Sequence, residues 1–201
     1  MSFFVEVGAC DFDTCEQLIH NGWKGIVIEP VKHYYDKLTK YPQIHYENIA
    51  ISDQEGESEI HYINPEHIVH ENQQWLKGIS SLEGATGPLS FEENQTLSNF
   101  QTSLKQKVRT STLNQICEKY DIHEIDFLKI DTEGHDLIVL QSIDLQKVNV
   151  KMIKIEHKHL NKEGRAQPRL FFVHFKKIKK HDMYNIKPNI SNIPITTYSD
   201  G

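Results

Sequence analysis

A chain of 201 residues with 38% apolar content is long enough to bury a core and fits one domain spanning residues 1–201. Its net charge of −6 argues against a nucleic-acid backbone as partner. No apolar run approaches the ~18 residues of a membrane span and no signal peptide is seen; the three cysteines, Cys10, Cys15 and Cys117, lack metal-site spacing, so the expected setting is reducing and cytoplasmic.

Phe3 to Val7 reads as a buried strand. Asp13 and Glu16 have capping-box spacing for a helix that Asn21-Gly22 ends. Gly25 to Glu29 is a second buried strand, stopped by Pro30. Val31 to Tyr41 reads as a helix and Ile44 to Ser52 as a third strand. Asp53 to Gly56 is a turn, and Ser58 to Ile63 reads as the return strand of a hairpin. Residues 64 to 107 are polar and weakly periodic, as a functional or disordered loop would be, with Gly78 to Leu82 the least bland portion.

Order returns at Val108. Leu113 to Tyr120 reads as a helix capped by Ser111 or Thr112, Ile125 to Ile130 as a strand, Asp136 to Ser142 as a helix and Val150 to Ile155 as a strand. Leu170 to Phe175 fits helix or strand. Ile186 to Thr197, with Pro188 and Pro194, fits an edge strand or a tail. The basic run Lys176 to Lys180 suits a solvated face. Strands alternating with short helices argue for an α/β fold with a central, mostly parallel sheet flanked by helices.

Ligands of such sheets bind beyond the carboxyl ends of the strands. Those positions are acidic here: Glu6, Asp11 and Asp13 around the first turn, Glu29 and then Pro30 after the second strand, Ser52 and Asp53 after the third, Asp131 to Glu133 after the fourth, Glu156 and His157 after the fifth. Glu29 follows Gly8 by 21 residues, a spacing that suits a carboxylate accepting from ribose hydroxyls. The turn itself is poor in glycine: Cys10 and Asp13 stand where a dinucleotide loop needs close backbone approach to a pyrophosphate. Carboxylates would repel a diphosphate and attract a ligand bearing an ammonium and a sulfonium, such as S-adenosylmethionine. Asp13 also suits a helix cap, and Asp11 fits either role. Asp131, with Glu133 if the chain stays extended, could orient an acceptor hydroxyl, take its proton or hold a divalent ion. His157 is a second candidate base and, with Asp131 and Glu133, a candidate ligand for magnesium or manganese; His159 is a weaker candidate.

The stretches FVEVGA, GWKGIVIEP, NIAISDQEGE, the Ser-Ser-Leu of the long loop, and IDFLKIDTEGHDLIVLQ followed by IKIEH resemble the FkbM-type methyltransferases in order, from about Phe3 to His159. The resemblance implies a Rossmann-like class I fold and S-adenosylmethionine-dependent O-methylation, often of sugar hydroxyls in glycans or glycoconjugates. It places the first motif on Glu6, Gly8 and Ala9, the ribose acid on Glu29, the adenine edge on Ala50 to Asp53, and the acid after the fourth strand on Asp131. With Cys10, Asp11 and Pro30 beside them, these are the candidate cofactor residues; Asp131, Glu133 and His157 are the candidate catalytic ones. The family's usual helix before the first strand is missing. This suggests a domain of a longer polypeptide, fused to or acting with glycosyltransferase domains. Two rival readings are an NAD-dependent oxidoreductase, which shares the ribose acid but wants the absent glycines, and a non-catalytic module on a methyltransferase scaffold.

Overall fold

The structure is a computed structural model that describes residues 2–11, 14–82, 103–155, 171–174 and 195–196. Five strands form the parallel heart of the main sheet: β1 (Phe3–Val7), β2 (Lys24–Ile28), β3 (Ile44–Glu47), β9 (Phe127–Ile130) and β11 (Met152–Ile155). With β12 (Phe171–His174) and β13 (Ile195–Thr196), both joined antiparallel, they run in the order β13-β12-β11-β9-β1-β2-β3. The order reverses at β1, whose neighbours β2 and β9 continue the chain in opposite directions across the sheet. A crevice opens at such a switch point, beyond the strand ends.

Alternation along β1 and β2 sorts the two faces. Phe4 and Val27 join Cys15, Ile19 of α1 (Glu16–His20), Leu38 and Ile44 on one side. Val5, Val7, Ile26 and Ile28 join Leu128, Ile130 and Ile153 on the other, packed by α3 (Leu113–Lys119) and α4 (Asp136–Gln141). Both faces are covered, which is why β1, β2 and β9 are almost wholly apolar. Thr112 caps α3, as expected: its hydroxyl accepts from Gln115 N at 3.1 Å and the Gln115 side chain accepts from Thr112 N at 2.9 Å.

Four expectations are corrected. The strand expected over Ile44 to Ser52 is two strands. Asn48 Nδ2 donates to the carbonyls of Glu29 at 2.8 Å and Pro30 at 3.0 Å, turning the chain, and β4 (Ala50–Ile51) leaves to pair with Thr110 and Ser111. The Ser58–Ile63 segment is not the return of a hairpin with the preceding strand. It lies in β5 (Gly56–Ile63), which runs antiparallel to β7 (Ser103–Ser111) across the whole intervening loop. Finally, residues 64 to 107 are not uniformly irregular. They include 3₁₀ turns at Pro65–His67 and Glu71–Gly78, β6 (Ser80–Ser81) and the start of β7, so that β4, β7, β5 and β6 make a second sheet. The helix expected over Val31 to Tyr41 is shorter, with α2 at Lys32–Tyr35 and turns beyond it. β8 (Glu124–Ile125) and β10 (Asn149–Val150) form a small parallel pair. Asp13, the expected cap of α1, lies outside the described residues, as do 83–102.

Candidate active site

Gly8 stands at the switch point. It adopts φ +81°, and a Cβ there would sit 1.9 Å from the carbonyl oxygen of Asp131. Gly8 N donates to Ile28 O at 3.0 Å and Asp131 N to Val7 O at 3.0 Å, so the ends of β1, β2 and β9 are stitched together around it. The glycine is required by this close approach of two backbones.

Glu29, at the tip of β2, is 4% exposed and spans the same region. Its Oε2 accepts from Cys10 N and its Oε1 from Val31 N, each at 2.7 Å. Burial pushes its carboxyl up to about 7, against the opposing pull of those two N–H groups. Each carboxylate oxygen keeps a lone pair for a further donor. Cys10 itself is left-handed at φ 52°, a conformation that aims its N–H at Glu29.

Two acids of the first turn, Glu6 and Asp11, have lysine partners distant in sequence. Glu6 is 2% exposed and sits on the α1 face, in register with Lys129 of β9; Lys129 Nζ donates to its Oε1 at 3.0 Å and lies 3.3 Å from Asp131 Oδ2. Burial alone would push the Lys129 ammonium down, but Glu6 and Asp131 more than offset it and the net shift is upward. Asp11 pairs with Lys77 of the second 3₁₀ turn at 3.1 Å. Glu6 and Asp11 are thus each paired with a lysine in space, while Asp13 lies outside the described residues.

The DTEGHD segment after β9 is shaped by a residue to which no site role was given. Asp136, 3% exposed, accepts from Thr132 N at 3.3 Å through Oδ1 and from Gly134 N at 3.1 Å through Oδ2. These bonds hold Glu133 at φ 51° and Gly134 at φ 99°. The chain is therefore not extended past Asp131, and the condition for Glu133 to share its side is not met.

A cleft opens at the switch point, beyond the ends of β1, β2 and β9. Of the sequence-predicted residues it brings together Gly8, Glu29, Pro30, Ala50 and Asp131. Glu6, Ala9, Cys10, Asp11, Ser52, Asp53 and Glu133 are not on its lining. Ile51 and Thr132, inside the expected ranges Ala50 to Asp53 and Asp131 to Glu133, also line it, and it adds His135, Ser80, Leu82 and the apolar Ile49 and Ile60. Ser52 Oγ lies 3.1 Å from His135 Nε2, joining the end of β4 to the start of α4. All three cysteines are free and buried.

His157 lies outside the described residues, with Glu156 and His159. Among the described residues no three His, Cys, Asp or Glu side chains gather as a metal site. Asp131 has the Lys129 ammonium at 3.3 Å, a poor surrounding for a cation. The described donor set does not fit a divalent ion. No helix among the described residues is long and apolar enough to cross a membrane.

A family model described as methyltransferase FkbM domain matches residues 6–184. The chain belongs to the FkbM methyltransferase family. It is a methyltransferase with the class I fold, and its mostly parallel sheet has the switch point that this fold uses. No curated protein and no solved structure matches the chain. In this FkbM methyltransferase the first motif, Glu6 to Ala9, is a packing junction between β1, β2 and β9.

Proposed function

We propose that the protein transfers the methyl group of S-adenosylmethionine to a hydroxyl of a sugar in a glycan or glycoconjugate. The observation that carries this reading is Glu29: a buried carboxylate at the tip of β2, beside an apolar cleft walled by Pro30, Ile49, Ile51 and Ile60. Such a pairing suits the two hydroxyls of a ribose and the flat apolar base attached to it. The residues of the cleft fit an adenosine group. A dinucleotide fits less well, because Cys10 rather than glycine occupies the left-handed position of the turn.

When bound, S-adenosylmethionine supplies a sulfonium methyl with a good leaving group. The protein aligns the acceptor oxygen with that carbon, excludes water and removes the hydroxyl proton. Asp131, on the cleft and 38% exposed in its side chain, orients the acceptor hydroxyl and takes the proton. Lys129 holds the Asp131 carboxylate in place. His157, the other candidate base, follows β11, the strand next to β9. The 64–107 region supplies the acceptor side of the cleft, through Ser80 and Leu82 among its described residues. The chain works as a single methyltransferase domain over residues 1–201, fused to or acting beside glycosyltransferases that build the acceptor.

The test is binding followed by turnover. S-adenosylmethionine and S-adenosylhomocysteine at a hundred times Kd should each stabilise the protein by about 2.7 kcal/mol, and NAD should not. Labelled cofactor should then deliver its methyl to a candidate glycan, read by mass spectrometry, with Asp131→Asn slowing transfer about 10²–10⁴-fold. Stabilisation by NAD alone would overturn the reading in favour of an oxidoreductase. A stable protein that binds no adenosyl ligand would favour a non-catalytic module. Turnover that is lost in a chelator would restore the metal-assisted route.

A further inference from the structure

We propose that His135 is a cofactor-binding residue whose imidazole packs against the adenine ring, an inference that rests on the adenosyl-cofactor reading above. His135 lines the cleft together with Pro30, Ile49, Ile51, Ile60 and Leu82. It brings the sole aromatic ring among the described lining residues, and the remainder of that wall is aliphatic. A planar purine placed with its ribose at Glu29 has an aliphatic surface on one side and needs a second flat surface to complete a sandwich.

The ring is held for that task from both ends. Its backbone N donates to Thr132 O at 3.3 Å and its carbonyl accepts from Val139 N at 3.1 Å, so Cα sits at the first turn of α4. Its Nε2 meets Ser52 Oγ at 3.1 Å. Ser52 has one hydroxyl proton, which it donates to Asp53 Oδ1 at 3.2 Å. Ser52 is itself fixed, with its backbone N donating to Ser111 O at 2.9 Å. A bond joining residues 83 apart in sequence thereby sets the ring orientation across the junction of the two sheets. Ser52 and Asp53, off the lining themselves, act through this ring.

The experiment is calorimetric titration of the full chain with S-adenosylhomocysteine and, separately, with adenosine. His135→Ala should bind both about three- to tenfold more weakly, by the same factor, as expected for loss of one aromatic pair. His135→Phe, which keeps the flat face, should stay within about twofold of wild type. The melting temperature of each unligated variant shows whether the fold is intact, and if the alanine variant melts early, the phenylalanine variant and Ser52→Ala carry the test. Equal binding by His135→Ala and wild type overturns the proposal. So does a loss confined to S-adenosylhomocysteine, which would locate the effect at the amino-acid end, or an equal loss in His135→Phe, which would locate it in the Ser52 bond. A wild-type protein that binds neither ligand overturns the cofactor reading itself.

Discussion

Replacing Lys129 with methionine should be among the most damaging single changes in the sheet. Lys129 is 5% exposed in its side chain, Glu6 is 2% exposed, and the two are 3.0 Å apart in the middle of β9 and β1. Methionine fills the volume but leaves Glu6 as an uncompensated buried charge, a loss of about 3–5 kcal/mol. That is a large part of the roughly 5–15 kcal/mol of a typical domain. Glu6→Gln should cost less, because Lys129 keeps Asp131, 38% exposed, at 3.3 Å. The double change Glu6→Leu with Lys129→Met should recover most of the loss, since well-packed apolar pairs often replace buried ion pairs without penalty. Urea unfolding of the four proteins at neutral pH gives the coupling directly. Lys129 is shifted upward in the folded state, so the pair stabilises fully below the ordinary lysine value of 10.5 and is lost as pH rises through the raised value. Wild type should therefore lose more stability than the double variant on moving into that alkaline range. If Lys129→Met unfolds within 1 kcal/mol of wild type (about a fivefold change in the folding constant), Glu6 is not charged and buried as described, and the argument fails.

Gly8→Ala should cost at least about 1–3 kcal/mol from the positive φ alone, and more from the 1.9 Å approach to Asp131 O; a variant as stable as wild type in urea would show that the two backbones do not approach so closely there. Burial places Glu29 near pH 7, and ribose hydroxyls favour its ionised form, so affinity for S-adenosylhomocysteine should rise with pH up to about 7 and then level off. The unligated protein should show the opposite sign, its Glu29 contribution being greatest below the ordinary value of 4.5 and fading as pH rises through about 7; titrations of Glu29→Gln lacking neither trend would sink the assignment. Asp136→Ala removes the acceptor for two backbone N–H groups and should cost about 2 kcal/mol, with a fall in kcat as Asp131 and His135 lose their frame; unchanged kcat in a stable variant would count against that frame.

Much of the sheet was legible because burial on both faces writes itself as mainly apolar runs, and Phe3–Val7, Lys24–Ile28 and Phe127–Ile130 are such runs, each with one charged residue. The place of Glu29 on the cleft was legible because it follows an apolar strand and precedes a proline; its bonds to Cys10 N and Val31 N were not. What escaped was set by distance in sequence. The β5–β7 pairing spans residues whose alternation says strand but names no partner, so the nearest strand looked like the mate. The Glu6–Lys129 pair joins residues 123 apart, and the Asp11–Lys77 pair residues 66 apart. Charges were counted along the chain, where lysines of β9 and of a 3₁₀ turn do not register as neighbours of the first turn. This changes how the site is understood. With Glu6 and Asp11 paired within the protein, their charge does little to select a sulfonium cofactor. Selection then falls on the shape of the cleft, on the hydrogen bonds of Glu29, and on the residues that wall the nucleoside end.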